Sequence, residues 1–260
     1  MEWTEEAEEA IKKVPFFVRK KVRARVEDDV GKAGKGRVSL SDVRLSQKKY
    51  LARMSDEVKG YQLEACFGAG GCPNRAVVGG KLMERLEKAL REAEIRKFLE
   101  KNVTGGLKHH HEFRVAVADC PNACSQPQIR DLGIIGALEP DVGSNPCTLC
   151  GACAEACREE AATLGEAGDV PVIELNRCVK CGRCIDVCPT GTLAAKRSGY
   201  RVQVGGKLGR HPRLAMEFPG IYTEDEVIEI LHRCLRFYKE KSTQGKRFAE
   251  LFHHVKDLGL

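Results

Sequence analysis

One pattern is written twice between residues 147 and 188. Cys147-Thr-Leu-Cys150-Gly-Ala-Cys153-Ala-Glu-Ala-Cys157 recurs as Cys178-Val-Lys-Cys181-Gly-Arg-Cys184-Ile-Asp-Val-Cys188, followed by Pro189. Cysteines this close rarely pair with each other as disulfides. They suit a metal centre that gathers several thiolates. The N-terminus, Met-Glu-Trp-Thr-Glu-Glu, lacks the basic-then-apolar layout of a signal peptide. The expected compartment is therefore a reducing cytoplasm.

The repeat matches the run C-x2-C-x2-C-x3-C-P of bacterial ferredoxins. Three thiolates on a tight loop grip three corners of an iron–sulfur cube, and the fourth cysteine ligates the other cube. One cluster is thus expected on Cys147, Cys150, Cys153 and Cys188, and the other on Cys178, Cys181, Cys184 and Cys157. Gly151 and Gly182 let the loop backbone approach sulfur. Arg158 stands where the first run would carry its trailing proline. The competing reading is zinc, which favours separated C-x2-C pairs over two such runs.

Outside the repeat, hydrophobic spacing predicts mixed elements. Val18, Val22, Val26 and Val30 recur every four residues, so 3–14 and 15–34 read as helices, with the basic run Arg19–Arg25 on a solvated face. A further helix is expected over 81–101, with Leu82, Leu86, Leu90 and Ala93 on one stripe. Residues 112–119 alternate as a strand: Phe113, Val115 and Val117 face one way, and Arg114, Ala116, Ala118 and Cys120 the other, where the two alanines leave room. Residues 131–138 and 200–204 are further strand candidates. Thr223 and Glu226 have capping-box spacing at the start of a helix, and a last helix is expected over about 246–257. At 42% hydrophobic and 31% charged residues in a chain of 260, a folded globular protein follows. No apolar run approaches the roughly 18–20 residues of a membrane span.

Four more cysteines come as Cys66-x5-Cys72 and Cys120-x3-Cys124. Spacing alone makes them one four-thiolate site of unspecified metal. Together with "Val-Ala-Asp-Cys-Pro-Asn-Ala-Cys", "Asp131-Leu-Gly-Ile-Ile-Gly136" and "Gly205-Gly-Lys-Leu-Gly-Arg-His-Pro212", they resemble the siroheme sulfite and nitrite reductases. An inserted ferredoxin module is similar to the dissimilatory and anaerobic sulfite reductases. The resemblance spans about 55–138 and 199–260. It implies that Cys66, Cys72, Cys120 and Cys124 hold a third four-iron cluster, and that Cys124 bridges it to siroheme iron. Sulfite or nitrite would take the opposite axial face, in a six-electron reduction fed by the clusters. In the family, basic side chains alternate on the strand entering the C-x3-C pair. Here Arg114 has that parity, flanked by Glu112 and Ala116, and its distance from Cys120 favours the macrocycle's carboxylates or substrate entry. Arg114 and Lys108 are the catalytic candidates. Lys207 and Arg210, in a basic turn with His211 and Arg213, are cofactor-binding candidates beside Arg114 and Cys124.

Trp3, Val14-Pro-Phe-Phe-Val-Arg19, Val22-Arg23 and Val26-Glu27 resemble the small helical C-terminal domain of the light-independent protochlorophyllide reductase B subunit. The expected fold class is α+β. Residues 1–43 form the helical domain, 44–138 with 196–260 the reductase-like domain, and 139–195 the inserted module. Full-length assimilatory relatives have two pseudo-symmetric halves, and this chain resembles the cluster-bearing one. That implies an oligomer or a partner subunit, besides an electron-donor protein. The alternative function is electron transfer without catalysis. The net charge of +6 is offset by about −2 from each of three oxidised clusters with their thiolates. With no aromatics interleaved among the basic residues, nucleic acid is not an expected partner. His109, His110 and His111 read as a solvated loop, and Cys234 as a small buried hydrophobe.

Overall fold

The computed structural model describes residues 1–77, 80–165 and 170–259. The chain forms two compact units, Met1–Val58 with Val103–His109, and Lys59–Asn102 with His110–Leu260.

In the first unit, β1 (Glu2–Trp3) pairs in parallel with β2 (Arg37–Val38), and three helices follow the chain: α1 (Glu5–Lys12), α2 (Phe16–Lys32) and α3 (Leu40–Glu57). Thr4 caps α1 by accepting from the Ala7 N–H at 3.3 Å. The valine stripe of α2 behaves as its spacing predicts: Val26 and Val30 are buried with Ala7 and Val38, and Trp3, Val22 and Val43 pack around them. The basic run is not wholly solvated, because Arg23 forks onto Glu8 at 2.5 and 2.9 Å and lies 4.4 Å over the Trp3 ring. α3 crosses residue 43 and opens with a Ser39–Asp42 capping box. Lys35, then the Ser39 hydroxyl and N–H, hold the Asp42 carboxyl down at about 2.

The second unit is built on a five-stranded sheet. Its elements in chain order are β3 (Tyr61–Ala65), α4 (Leu82–Glu92), α5 (Ile95–Asn102), β4 (Phe113–Ala118), β5 (Leu132–Val142), α6 (Ala152–Ala156), β6 (Ala162–Leu164), β7 (Pro171–Ile173), α7 (Arg183–Asp186), β8 (Leu193–Val204), β9 (Met216–Glu217), α8 (Glu224–Lys241) and α9 (Phe248–Leu251). Strand order is β3-β4-β5-β8-β9. β3, β4 and β5 run parallel, while β8 and β9 pair antiparallel. This mixed sheet, with helices interspersed along the chain, is an α+β fold.

Register divides the sheet into two unlike faces. Phe113, Val115, Val117, Leu132, Ile134, Val202 and Val204 share the apolar face. Val227, Leu231, Leu235 and Tyr238 of α8 are buried in the same core. Thr223 and Glu226 form the expected capping box. Phe113, Tyr238, Phe248 and Phe252 interlock edge-to-face, tilted or stacked, with centroids 5.2–6.2 Å apart. The opposite face carries Gln62, Glu64, Arg114, Ala116, Gly133, Arg201, Gln203 and Glu217.

Three expectations are corrected. The helix over 81–101 is two, because Glu94 turns left-handed at φ 47° and the Lys239 ammonium takes the Ala93 carbonyl at 2.5 Å. That break seats α5 against Gly60, where a Cβ would come within 2.5 Å of the Arg96 nitrogen. The helix over 246–257 stops at Leu251. There the Arg213 guanidinium donates to the carbonyls of Ala249 and Phe252 at 2.7 and 2.8 Å, and the His253 N–H goes to Asp257 instead of continuing the helix. The strands expected at 131–138 and 200–204 both extend, as an antiparallel ribbon reaching Val142 opposite Leu193. Pro140 sits at the bulge in that ribbon, where a missing N–H is tolerated.

Candidate metal and cofactor site

The two repeated loops are conformational copies. Leu149 and Lys180 are left-handed at φ 54° and 62°, and so are Gly151 and Gly182 at 74° and 79°. The glycines are therefore required by backbone conformation, which a side chain would strain. In each loop the first sulfur accepts a backbone N–H: Leu149 to Cys147 and Lys180 to Cys178, both at 3.4 Å.

Cys147, Cys150, Cys153 and Cys188 line one cavity with Leu164, Pro171 and Leu193. Cys157, Cys178, Cys181 and Cys184 line another with Pro140, Ala161 and Ile173. The fourth cysteine of each run has thus crossed to the other run's cavity. Burial pushes the Cys184 thiol up to about 12, and Cys178, Cys181 and Cys157 add to it. Cys188 is lowered to about 7, first by the Leu193 N–H and then by Thr190. Among the described residues no three His, Cys, Asp or Glu side chains converge as a single-ion site requires. The thiols ring cavities instead.

The second cavity adjoins the ribbon. Leu138 bridges to Cys181 and donates its N–H to the Lys180 carbonyl at 2.8 Å. Arg183, between Cys181 and Cys184, reaches the Asn74 side chain at 3.4 Å. Asn74 follows Cys72 by two residues, so this loop touches the segment bearing the other four cysteines.

Cys66 follows β3 and Cys120 lies just past β4, so two neighbouring parallel strands deliver one cysteine each at their C-terminal ends. Ligand sites favour that edge of parallel sheets. Burial raises the Cys120 thiol, and Cys72, Cys124 and Cys66 reinforce the shift. The Cys66 sulfur accepts N–H groups from Gly68 and Asp119 at 3.3 and 3.2 Å, and the Asn122 amide donates to Cys124 at 2.9 Å. Cys124 itself is exposed.

The room expected over Ala116 and Ala118 is filled. The turn Pro127–Ile129 lies against β4, β5 and β8, and a Cβ on Gly133 would meet the Pro127 carbonyl at 2.3 Å. Arg114 is half-buried beside this turn, and its Nε has no hydrogen-bond partner. Burial lowers its pKa, assisted by Arg247 and opposed by Asp131. Arg130 Nε, a donor, and Gln128 Oε1 and Gln203 Oε1, both acceptors, are likewise buried without partners, so a polar ligand here would meet two guanidinium donors and two amide acceptors. Glu112 is spent on β3, accepting from Lys59 N at 2.9 Å and Gln62 at 2.7 Å.

Lys207 stems the basic turn, paired through its backbone with Arg213, and Arg210 is exposed at its tip. The stem joins the Arg114 neighbourhood, since Gly206 donates to the Arg130 carbonyl at 2.8 Å. Arg213 is structural, bound to three carbonyls. Lys108 is exposed in the first unit, whereas Arg114 belongs to the second. Two pairings escaped sequence reasoning: Arg75 with Asp119 at 2.7 Å, and Arg130 with Glu64 at 2.5 Å. The only signal for the first was adjacency to Cys72 and Cys120.

Asp131 is 2% exposed, and its Oδ2 accepts the Arg114 N–H at 2.9 Å. Burial raises it to about 6, although that N–H, Arg247 and Arg114 pull it down. A carboxyl raised from 3.8 in the unfolded chain costs nothing below both values and destabilises the fold once ionised. Its contribution is lost as pH rises from about 4 to about 6, on the order of 3 kcal/mol. Urea midpoints measured from about pH 4 to 7 should fall more for the native protein than for Asp131→Asn. Parallel curves would refute this.

Twelve cysteines gathered in three groups suit thiolate-held metal centres, and similarity to known proteins gives the family. A family model described as the nitrite and sulphite reductase 4Fe-4S domain matches residues 61–259, and one described as the proto-chlorophyllide reductase 57 kD subunit matches 3–45. The chain belongs to the nitrite and sulphite reductase 4Fe-4S domain family. It is 33% identical over 193 residues to the coenzyme F420-dependent sulfite reductase of Methanocaldococcus jannaschii, covering 74% of this chain and 28% of that protein. It is 31% identical over 229 residues to one subunit of the anaerobic sulfite reductase of Salmonella typhimurium, covering 85% and 61%. The crystal structure of dissimilatory sulfite reductase I shares the fold, with a TM-score of 0.51 at 16% identity, covering 82% of this chain and 57% of that one. The chain thus spans less than two thirds of either sequence relative. No helix among the described residues is long and apolar enough to cross a membrane.

Proposed function

We propose that this chain is a sulfite or nitrite reductase, or a subunit of one, passing electrons from two ferredoxin-type clusters to a coupled four-iron–siroheme centre for a six-electron reduction. The carrying observation is the meeting of Cys66 and Cys72 with Cys120 and Cys124 at one strand edge, with Arg183 of the second repeated loop against Asn74. In this reading each cavity's four cysteines hold one cluster, the strand-edge four hold the third, and Cys124 also ligates siroheme iron. When bound, these groups supply one-electron carriers and an iron site for the anion. The protein's part is to hold and orient. Arg114, Lys207 and Arg210 present cationic donors to the macrocycle's carboxylates. Sulfite is favoured over nitrite by the names of both sequence relatives. The Salmonella relative is itself a subunit of its reductase, which supports a partner subunit here that completes the pocket, together with an electron-donor protein. The partition into 1–43, 44–138 with 196–260, and 139–195 accompanies this reading.

The alternative is a non-catalytic electron-transfer protein. It is favoured by the turn Pro127–Ile129 lying over the small-residue strand face. Anaerobic purification from cells supplied with siroheme decides between them. The first reading expects about thirteen iron per chain, about twelve in clusters and one in siroheme, with about twelve sulfide and siroheme absorption bands. About twelve iron and twelve sulfide without those bands selects the alternative.

A further inference from the structure

We propose that the Arg75–Asp119 ion pair sets the reduction potential of the centre held by Cys66, Cys72, Cys120 and Cys124, making both side chains positioning residues. This rests on the reading that those four cysteines hold a cluster. Arg75 lies three residues past Cys72, and Asp119 immediately precedes Cys120. The guanidinium Nε donates to Asp119 Oδ2 at 2.7 Å, and each side chain is only 21% exposed. One ion pair therefore ties together the two loops that supply all four thiols.

Asp119 is held from several directions. Its N–H donates to the Cys66 sulfur at 3.2 Å, and its carbonyl accepts from Ala76 at 2.8 Å. Gly68 and Gly136 make the room: a Cβ on the first would lie 2.2 Å from Asp119 Oδ2, and on the second 2.4 Å from its carbonyl oxygen. Two glycines and three hydrogen bonds fix a charged pair beside a ligand sulfur. Charges screened this little act on a neighbouring metal centre through a low effective dielectric. Hydrogen bonds to sulfur and nearby charge are two of the levers on cluster potential.

The sign follows from adding an electron to the centre. Removing the guanidinium leaves the carboxylate uncompensated and disfavours reduction. Removing the carboxylate charge leaves the guanidinium and favours it. The test is potentiometric titration, followed by electron paramagnetic resonance, of the full anaerobic protein as wild type, R75K, R75Q, D119N and R75Q/D119N. One of the three midpoint potentials is expected to fall in R75Q and rise in D119N. R75K and the double variant should lie near wild type. Shifts of the same sign in both single variants, or none, overturn the proposal, because loosened loops alone would move both alike. Loss of about four iron from both single variants and the double variant also overturns it, leaving the pair a mere fastener. A wild type holding only about eight iron would instead sink the underlying cluster assignment, so the two failures are distinguishable.

Discussion

Cys157→Ala should leave the protein with about eight cluster iron atoms in place of about twelve, and the four lost are those that Cys181→Ala removes. By sequence order Cys157 belongs with Cys147, Cys150 and Cys153. In the fold it faces Cys178, Cys181 and Cys184 across one cavity, and its sulfur accepts the Ala161 N–H at 3.2 Å. A cube that loses one of four thiolates loses its anchoring, while the other cavity keeps its full set. The double variant Cys157→Ala/Cys181→Ala should therefore hold as much iron as either single variant. Cys157→Ala combined with Cys150→Ala should lose about four more. Iron and acid-labile sulfide counts read both results. The reverse pattern would return Cys157 to its own run and dismantle the crossed assignment.

The second large effect lies far from any cysteine. Phe248→Ala should cost about 3–5 kcal/mol, the range for emptying a buried aromatic site. Phe248 is 1% exposed and meets Phe113 at 5.2 Å, Phe252 at 5.6 Å, Phe237 at 5.9 Å and Tyr238 at 6.2 Å. Its removal opens the junction where β4, α8 and α9 meet, and the rigid stack has no neighbour free to fill the gap. Against a typical total of about 5–15 kcal/mol, the urea midpoint should drop steeply. A change under about 1 kcal/mol would mean that this cluster repacks freely.

What the sequence disclosed, and what it hid, follows one distinction. The valine stripe, the alternation at 113–118 and the Thr223–Glu226 box are local patterns, and each behaves as local physics predicts. α3 was illegible because Asp42 and Ser46 are its buried residues, so its inward face is polar. β3 was missed although Tyr61-Gln-Leu-Glu-Ala65 alternates apolar and polar, because a five-residue run is a weak signal and the strand is defined by pairing with β4, about fifty residues away. The two broken helices carry helix-like spacing, yet distant cations, Lys239 and Arg213, claim the carbonyls at each break. Spacing alone suggests that Cys66, Cys72, Cys120 and Cys124 form one four-thiolate site, while its kind comes only from the family resemblance. The strand edge that gathers it could not be read, since spacing says nothing about which strands are neighbours. The filling of the space above Ala116 could not be read at all, because it depends on where the turn after Cys124 folds back.

The ribbon of β5 and β8 leaves the sheet and returns to it with Val142 opposite Leu193. Everything between these residues hangs from two adjacent chain ends, like a cassette on a stalk. Such an insert can be excised or exchanged without rethreading the sheet or shifting its register. The architecture thus lets evolution, or an engineer, exchange the eight-cysteine insert while the sheet keeps Cys66, Cys72, Cys120 and Cys124 untouched.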